Sequence, residues 1–258
     1  MTMCSPYASC RRIDDRCLQA PQARVLDMQS LPDGFRALVI GATGALGTAF
    51  GDLLQADPRC AGVWRLGRQA AVRLDFADET SVAEAAVALR QEAPFHLVVV
   101  TTGVLHLPGV QPEKRLADLS LSAMEEVFRI NTFGPALVLR HFAPLLDRQR
   151  SVLAVLSAKV GSLGDNRLGG WYSYRASKAA LNMMVKTAAI ETRRTHPGAV
   201  LVALHPGTVK SALSRPFRGD EIGRQPLEAA TAMLSVLDGL RAEDSGSFVA
   251  YDGQRLPW

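Results

Sequence analysis

A chain of 258 residues, 48% hydrophobic and 21% charged, is long enough to bury one full-sized α/β core and leaves little room for a second ordinary domain. Its formal net charge of +4 comes from scattered basic residues without aromatic interleaving, which argues against a nucleic-acid partner and suits a small anionic ligand. No apolar run is long enough to span a bilayer, and four widely spaced cysteines without a histidine cluster argue against zinc and suit a reduced, cytoplasmic protein.

Residues 1–34 are polar, rich in Arg and Cys (Cys4, Cys10, Cys17), and lack both periodicity and the apolar segment of a secretory signal. They are expected to form a loosely ordered extension, with Met28 as an alternative initiator, ahead of a domain at 35–258. Residues 37–40, Ala-Leu-Val-Ile, read as a buried parallel strand. Gly41, Gly44 and Gly47 follow in a G-x-x-G-x-x-G turn, and 48–55 read as a helix. Strand, glycine turn and helix are the context in which a backbone can approach a pyrophosphate and offer it unpaired helix N–H groups.

A second strand at 62–66 ends at Gly67-Arg68, where a dinucleotide's adenosine ribose is met. A carboxylate there would select NAD; Arg68 accepts a 2′-phosphate and favours NADP, with NAD the other option. A third strand at 71–74 leads to Asp75. Ser81 and Glu84 have the spacing of a capping box, which predicts a helix from Ser81 to about 92. The fourth strand, 96–100, runs into Thr101-Thr102-Gly103, small residues that leave room for a ligand. A loop at 108–114 and a long helix at 121–147, carrying Asn131 within it, come next. The fifth strand, 151–156, ends at Ser157, and a glycine-rich loop spans 161–170. A helix is predicted at 171–194, a sixth strand at 199–205 ending in Pro206-Gly207, a mobile flap at 211–225, a helix at 226–240 and a last strand at 248–251. This alternation predicts an α/β fold, a parallel sheet covered on both faces.

On the 171–194 helix, Tyr174 and Lys178 stand four residues apart and share one face. A fixed positive charge beside a phenol favours the phenolate and lowers its pKa from about 10. Tyr174 is therefore a candidate general acid or base.

Several motifs in order carry a family resemblance. They are Gly41 to Gly47, Asn131-Thr-Phe-Gly134, Ser157-Ala-Lys-Val-Gly-Ser162, Gly169-Gly-Trp-Tyr-Ser-Tyr-Arg-Ala-Ser-Lys178, His205-Pro-Gly-Thr208 and the ending Ser245 to Gly253. From about residue 35 onward the chain resembles the short-chain dehydrogenase/reductase family, and within it the C-factor-like, sniffer-like carbonyl reductases. The resemblance implies a single Rossmann-type doubly wound parallel sheet of about seven strands. It implies Tyr174 as proton donor or acceptor, and Lys178 lowering its pKa and binding the nicotinamide ribose. Asn131 would bend its helix and hold a water, and Ser157 would polarise the substrate carbonyl. Gly41, Gly44 and Gly47 would pack on the pyrophosphate, Asp75 would meet the adenine, and Pro206, Gly207, Val209 and Ser211 would border the nicotinamide. Thr43, Ala45, Leu46, Phe76, Thr102 and Gly103 complete the expected cofactor contacts. The long helices imply a homodimer or homotetramer.

Three departures from the family pattern stand out. The family usually ends its fifth strand Ser-Ser with the second serine catalytic; Ala158 occupies that place, and Ser157 and Ser162 are the nearby hydroxyls. Side chains alternate along a strand, so a one-residue offset could face Ser157 away from the site; strand ends are irregular and Ser162 could also reach inward, and Ser157 is the expected hydroxyl. The usual Asn-Asn-Ala-Gly is Val100-Thr101-Thr102-Gly103, and Gly44 stands one residue earlier than in many members. The leading expectation is an NADP-preferring oxidoreductase acting on a carbonyl/alcohol pair. The alternatives are a dinucleotide-binding signalling or regulatory protein with little turnover and, more remotely, a nucleic-acid-binding protein. The substrate pocket is expected to draw on His106, Trp171 and the 211–225 flap.

Overall fold

The structure, a computed structural model, describes residues 28–258. The expectations for Cys4, Cys10, Cys17 and the rest of the extension up to residue 27 lie outside the described residues. Among the described residues, seven parallel strands form one sheet in the order β3-β2-β1-β4-β5-β6-β7. They are β1 (Phe35–Ile40), β2 (Cys60–Gly67), β3 (Val72–Arg73), β4 (Leu97–Val100), β5 (Ser151–Leu156), β6 (Ala199–His205) and β7 (Ser247–Ala250). The helices are α1 (Ala45–Ala56), α2 (Glu79–Ala88), α3 (Leu121–Phe128), α4 (Gly134–Phe142), α5 (Tyr172–Thr192), α6 (Gly219–Ile222) and α7 (Pro226–Gly239).

The apolar strands need cover on both faces, and alternation divides them. Leu38 and Ile40 of β1 join Val98 and Val100 of β4 in a core shared with α2, α4 and α5. Ala37 and Val39 join Leu97 and Val99 in a second core shared with α1 and α7. Each such Leu, Ile or Val, when fully buried, contributes roughly 1.5–3 kcal/mol. β1 lies between β2 and β4, so the connections leaving β1 and β4 part to opposite sides. The crevice beyond the carboxyl ends of these two strands is the topological switch point of the sheet.

Four expectations change. The boundary at residue 34 falls inside the packed domain. Met28 and Leu31 are fully buried against the α1–α7 core, the Met28 N–H donates to Asp57 Oδ2 at 3.1 Å, and the Ser30 N–H donates to Asp238 Oδ1 at 2.8 Å. α2 starts earlier than the Ser81 capping box, because Asp78 is its cap and accepts from the Ser81 N–H. The Ser81 hydroxyl is engaged elsewhere, accepting from the Asp75 N–H at 2.9 Å. The helix expected at 121–147 is α3, a π-helical turn at Arg129–Phe133, α4 and a short 3₁₀ turn ending at Leu145. The 211–225 flap, which shows no period because its elements are only about one turn long, folds into a 3₁₀ turn at Arg215–Phe217 and α6. Backbone bonds from Arg224 to Thr208 and from Lys210 to Arg224, each 3.0 Å, pin its base.

Candidate active site

The glycine turn joins β1 to α1 directly under the switch point. Gly41 takes φ +85°, a left-handed value that glycine adopts freely. A methyl group at Gly47 would run into the Gly41 carbonyl, so the helix can close onto the turn only with hydrogen there. Gly44 is the N-cap of α1 and no side chain caps this end, which leaves the first N–H groups of the helix facing the crevice. Thr43 and Gly44 are exposed, while Ala45 and Leu46 are half-buried at the helix start. Across the crevice, the Thr101 hydroxyl donates to the carbonyls of Ile40 and Gly41 at 2.9 and 3.0 Å. The Thr102 hydroxyl is buried and has no hydrogen-bond partner among the described residues. Such an orphan and an uncapped helix end fit a phosphate-bearing ligand.

Arg68 lies exposed past β2 and takes part in no ion pair among the described residues. Asp75, expected to face an adenine, also has internal work: it accepts from the Ala77 N–H and pairs with Arg73. Phe76 packs so closely on Gly134 that any side chain there would overlap its ring, which accounts for the glycine in Asn131-Thr-Phe-Gly134. Gly207 (φ +73°) lies against the Tyr251 ring, Val209 is buried, and Ser211 shares a hydroxyl network with Ser214.

Tyr174 and Lys178 project from the first turns of α5, the two residues 9% and 3% exposed. Lys178 Nζ donates to the Leu156 carbonyl at 2.9 Å and lies 6.0 Å from the centroid of the Tyr174 ring. Asn131, fully buried in the π-helical turn, reaches the same place. Its Oδ1 accepts from the Val104 N–H at 2.9 Å, and its Nδ2 donates to the Val104 carbonyl at 2.8 Å and to Ser177 Oγ at 3.1 Å. A Cβ on Gly103 would stand 3.5 Å from both Asn131 Oδ1 and Lys178 Nζ, so the three converge behind β4. The extra residue of the π turn carries Asn131 inward, as π bulges do at many functional sites.

Burial dominates the proton affinities. It pushes the Tyr174 phenol up to about 12 and the Lys178 amine down to about 7. Burial is the cause acting on each group, and among the described residues no hydrogen bond joins the phenol to the Lys178 amine. Tyr174 is a neutral phenol at pH 7, in the state required of a proton donor.

The serine departs from expectation. Ser157 Oγ donates to Asn182 Oδ1 at 2.6 Å, two turns along α5 from Tyr174. Ala158, the next residue, packs with Leu105 against Tyr174. The strand alternation that continues past β5 turns the hydroxyl away from the phenol. Ser162 is no substitute, since its Oγ donates to the Trp258 carbonyl at 3.3 Å and accepts from the Asp165 N–H. The structure therefore gathers Tyr174, Lys178 and Asn131, and leaves both candidate serines outside that group.

The pocket over Tyr174 is aromatic. Trp171 meets Tyr174 edge-on (centroids 6.3 Å apart) and Phe217 at 5.2 Å, and Phe217 lies 6.0 Å from His106. Glu113, Ser173 and Phe217 were not singled out from sequence. Glu113 lies in a loop with no period. The one available signal was that Trp171, between two glycines and a helix, cannot cap that helix with its own side chain. Among the described residues, no cluster of His, Cys, Asp and Glu could hold a metal ion, and no helix is long and apolar enough to cross a membrane.

A doubly wound parallel sheet, a glycine turn at its switch point and a buried Tyr–Lys pair beside that turn define a dinucleotide-dependent oxidoreductase. The chain belongs to the short-chain dehydrogenase family, whose model matches residues 36–222. It is 33% identical over 185 residues to 1-hydroxy-2-glutathionyl-2-methyl-3-butene dehydrogenase of Rhodococcus sp. (strain AD45), covering 72% of this chain and 78% of that one. It is 39% identical over 145 residues to C-signal of Myxococcus xanthus, covering 55% of this chain and 83% of that one. Among solved structures, the NADPH-bound carbonyl reductase from chicken fatty liver superposes with a TM-score of 0.76 at 25% identity, covering 88% of this chain and 96% of that one. The carbonyl reductase Sniffer of D. melanogaster shares the fold, with a TM-score of 0.75 at 19% identity over 87% of this chain and 99% of that one.

Proposed function

We propose that this protein is an NADP-preferring oxidoreductase that interconverts a carbonyl and an alcohol, with Tyr174 transferring the proton. The observation that carries the reading is the buried Tyr174–Lys178 pair beside an uncapped glycine turn at the switch point. When bound, the nicotinamide cofactor supplies or accepts the hydride. The first turn of α1 and the buried Thr102 hydroxyl would hold its phosphates, and the exposed Arg68, in no ion pair among the described residues, would take a 2′-phosphate. NADPH on the chicken liver relative supports the same choice.

The protein's own part is proton management. Tyr174 donates its proton to the oxygen of the carbonyl as negative charge develops there. The negative charge of the resulting phenolate favours the protonated form of Lys178, so the amine held by the Leu156 carbonyl places positive charge beside it. Asn131 fixes the loop after β4 against α5 and keeps the crevice wall in place. With Ala158 against the phenol, Tyr174 supplies the oxyanion's hydrogen bond without a serine beside it. Exposed Leu121, Phe133, Met183 and Ile190 offer apolar surface for self-association as a dimer or tetramer.

NADPH oxidation over a panel of aldehydes and ketones tests the reading. Tyr174→Phe is expected to lower turnover by about 10²–10⁴-fold while NADPH still binds. Equal rates for the two proteins would refute the mechanism. Arg68→Ala is expected to weaken NADPH and leave NADH unchanged. The Ala158 position and the likeness to C-signal favour one other reading, a dinucleotide-binding regulator; NADPH binding without turnover on any carbonyl would decide for it.

A further inference from the structure

We infer that Glu113 is a positioning residue, which caps α5 from the loop after β4 and thereby aims Tyr174 and Trp171; this rests on the oxidoreductase reading of the Tyr174 site. The start of α5 is unusual. Gly169, Gly170 and Trp171 all take left-handed backbone values (φ +63°, +65° and +53°), and the last has a bulky side chain. Trp171 is also the N-cap, yet its indole forms the pocket wall against Tyr174 and Phe217 and caps nothing. The strained residue and the uncapped helix end must therefore be held from outside.

Glu113 holds both sides of Trp171. Its backbone carbonyl accepts the Trp171 N–H at 2.5 Å. Its carboxylate accepts the Ser173 N–H at 3.2 Å and also the Ser173 hydroxyl. The side chain is buried, only 6% of the residue being exposed, and among the described residues no Lys or Arg pairs with it. Its neighbour Arg115 pairs with Asp118 instead. A buried carboxylate without a cation is stabilised where N–H donors and the positive end of a helix face it, which is what the first turn of α5 supplies. Arg175 closes the clamp from the other side, its guanidinium donating to the carbonyls of Gly169, Gly170 and Val160. Ser173 precedes Tyr174 directly, so the hold on Ser173 sets where the phenol points. Glu113, Ser173 and Tyr174 also line one small cavity together with His106.

The test compares the full chain with Glu113→Ala, Glu113→Gln and Ser173→Ala. Amide hydrogen exchange, measured by mass spectrometry without nucleotide, is expected to speed up in residues 171–175 of Glu113→Ala and Ser173→Ala while the central sheet keeps its protection. Glu113→Gln keeps an acceptor for the Ser173 N–H and a donor for its hydroxyl, and should exchange nearly as wild type. In NADPH-dependent turnover, Glu113→Ala should lose about 10²-fold in kcat with nucleotide affinity unchanged, and Glu113→Gln should recover most of that loss. Wild-type exchange at 171–175 in Glu113→Ala, exchange accelerated across the whole sheet, wild-type kcat, or a Gln variant as impaired as Ala would each overturn the assignment. Should Glu113→Ala fail to fold, wild-type exchange in Ser173→Ala overturns it equally. The exchange measurement needs no substrate, so a chain that reduces no carbonyl would sink the oxidoreductase reading and leave the clamp separately decided.

Discussion

Replacing Lys178 with methionine tests how the buried amine is held. The side chains are similar in length, but the variant cannot carry charge. Lys178 is 3% exposed, donates to one carbonyl and has burial as the cause of a pKa near 7 against 10.5 for the free side chain. The folded state therefore releases this proton earlier than the unfolded chain does. A lowered lysine pKa means that stability is reduced below pH 7, where both states carry the charge, and rises with pH until the unfolded amine also loses its proton near 10.5. Lowering the amine from 10.5 to about 7 would be worth on the order of 5 kcal/mol over the whole window. Most of that change falls between pH 7 and 10. Tyr174, raised by the same burial, adds little below pH 10 because its unfolded pKa lies there. Losing the donor to Leu156 costs the variant a constant amount at every pH, so the informative quantity is the difference in slope. Urea unfolding of nucleotide-free wild type and Lys178→Met at unit pH steps from 6 to 10 measures it. Wild type should gain about 3–4 kcal/mol relative to the variant from pH 7 to 10. Parallel curves would show that Lys178 titrates normally and that burial does not govern this site.

Asn131→Ala should destabilise the protein by about 3 kcal/mol, since the N–H and C=O of Val104 both lose their side-chain partner, and should lower turnover; thermal unfolding and kcat read the two effects. Gly47→Ala forces a methyl against the Gly41 carbonyl and should cost about 1–3 kcal/mol together with most of the nucleotide affinity, measured by unfolding and by nucleotide titration. Ala158→Ser places a hydroxyl beside Tyr174 and should raise kcat at least about tenfold, with nucleotide affinity unchanged; a neutral or harmful effect would mean that the carbonyl is not bound against residue 158.

The sheet and the first part of the site were legible because their signals are local. β5 and β6 lie at the residues their apolar runs predict, and the glycine turn sits between β1 and α1 where its spacing requires it. Tyr174 and Lys178 share a face because they share a helix. The misplaced parts depend on distant residues. Asp78 caps α2 because the Asp75 N–H engages the Ser81 hydroxyl, a competition no spacing reveals. Met28 and Leu31 look like extension until α7 covers them and Asp238 receives the Ser30 N–H from far along the chain. The 211–225 segment reads as a flap because its elements are about one turn long, too short to show a period, and the bonds that pin its base run between Arg224 and 208–210.

The serine shows the same limit on a finer scale, and it points to how the site manages without one. A one-residue offset on a strand end is enough to send the Ser157 hydroxyl to Asn182 and set a methyl against the phenol. On the proposed mechanism, with Ser157 and Ser162 both turned elsewhere, the burden of placing the substrate oxygen would fall on Tyr174 alone, and an error in its aim would have no serine donor to compensate it. A site built that way needs a rigid origin for α5 more than one with two donors does. The clamp on Trp171 and Ser173 supplies that rigidity from Glu113, a residue sixty positions away. Ala158→Ser and Glu113→Ala are therefore coupled perturbations. If Tyr174 carries the oxygen alone, the added serine should soften the loss of kcat caused by Glu113→Ala, and the double variant should retain more than the product of the two single effects predicts. Strictly multiplicative effects would separate the clamp from the missing hydroxyl.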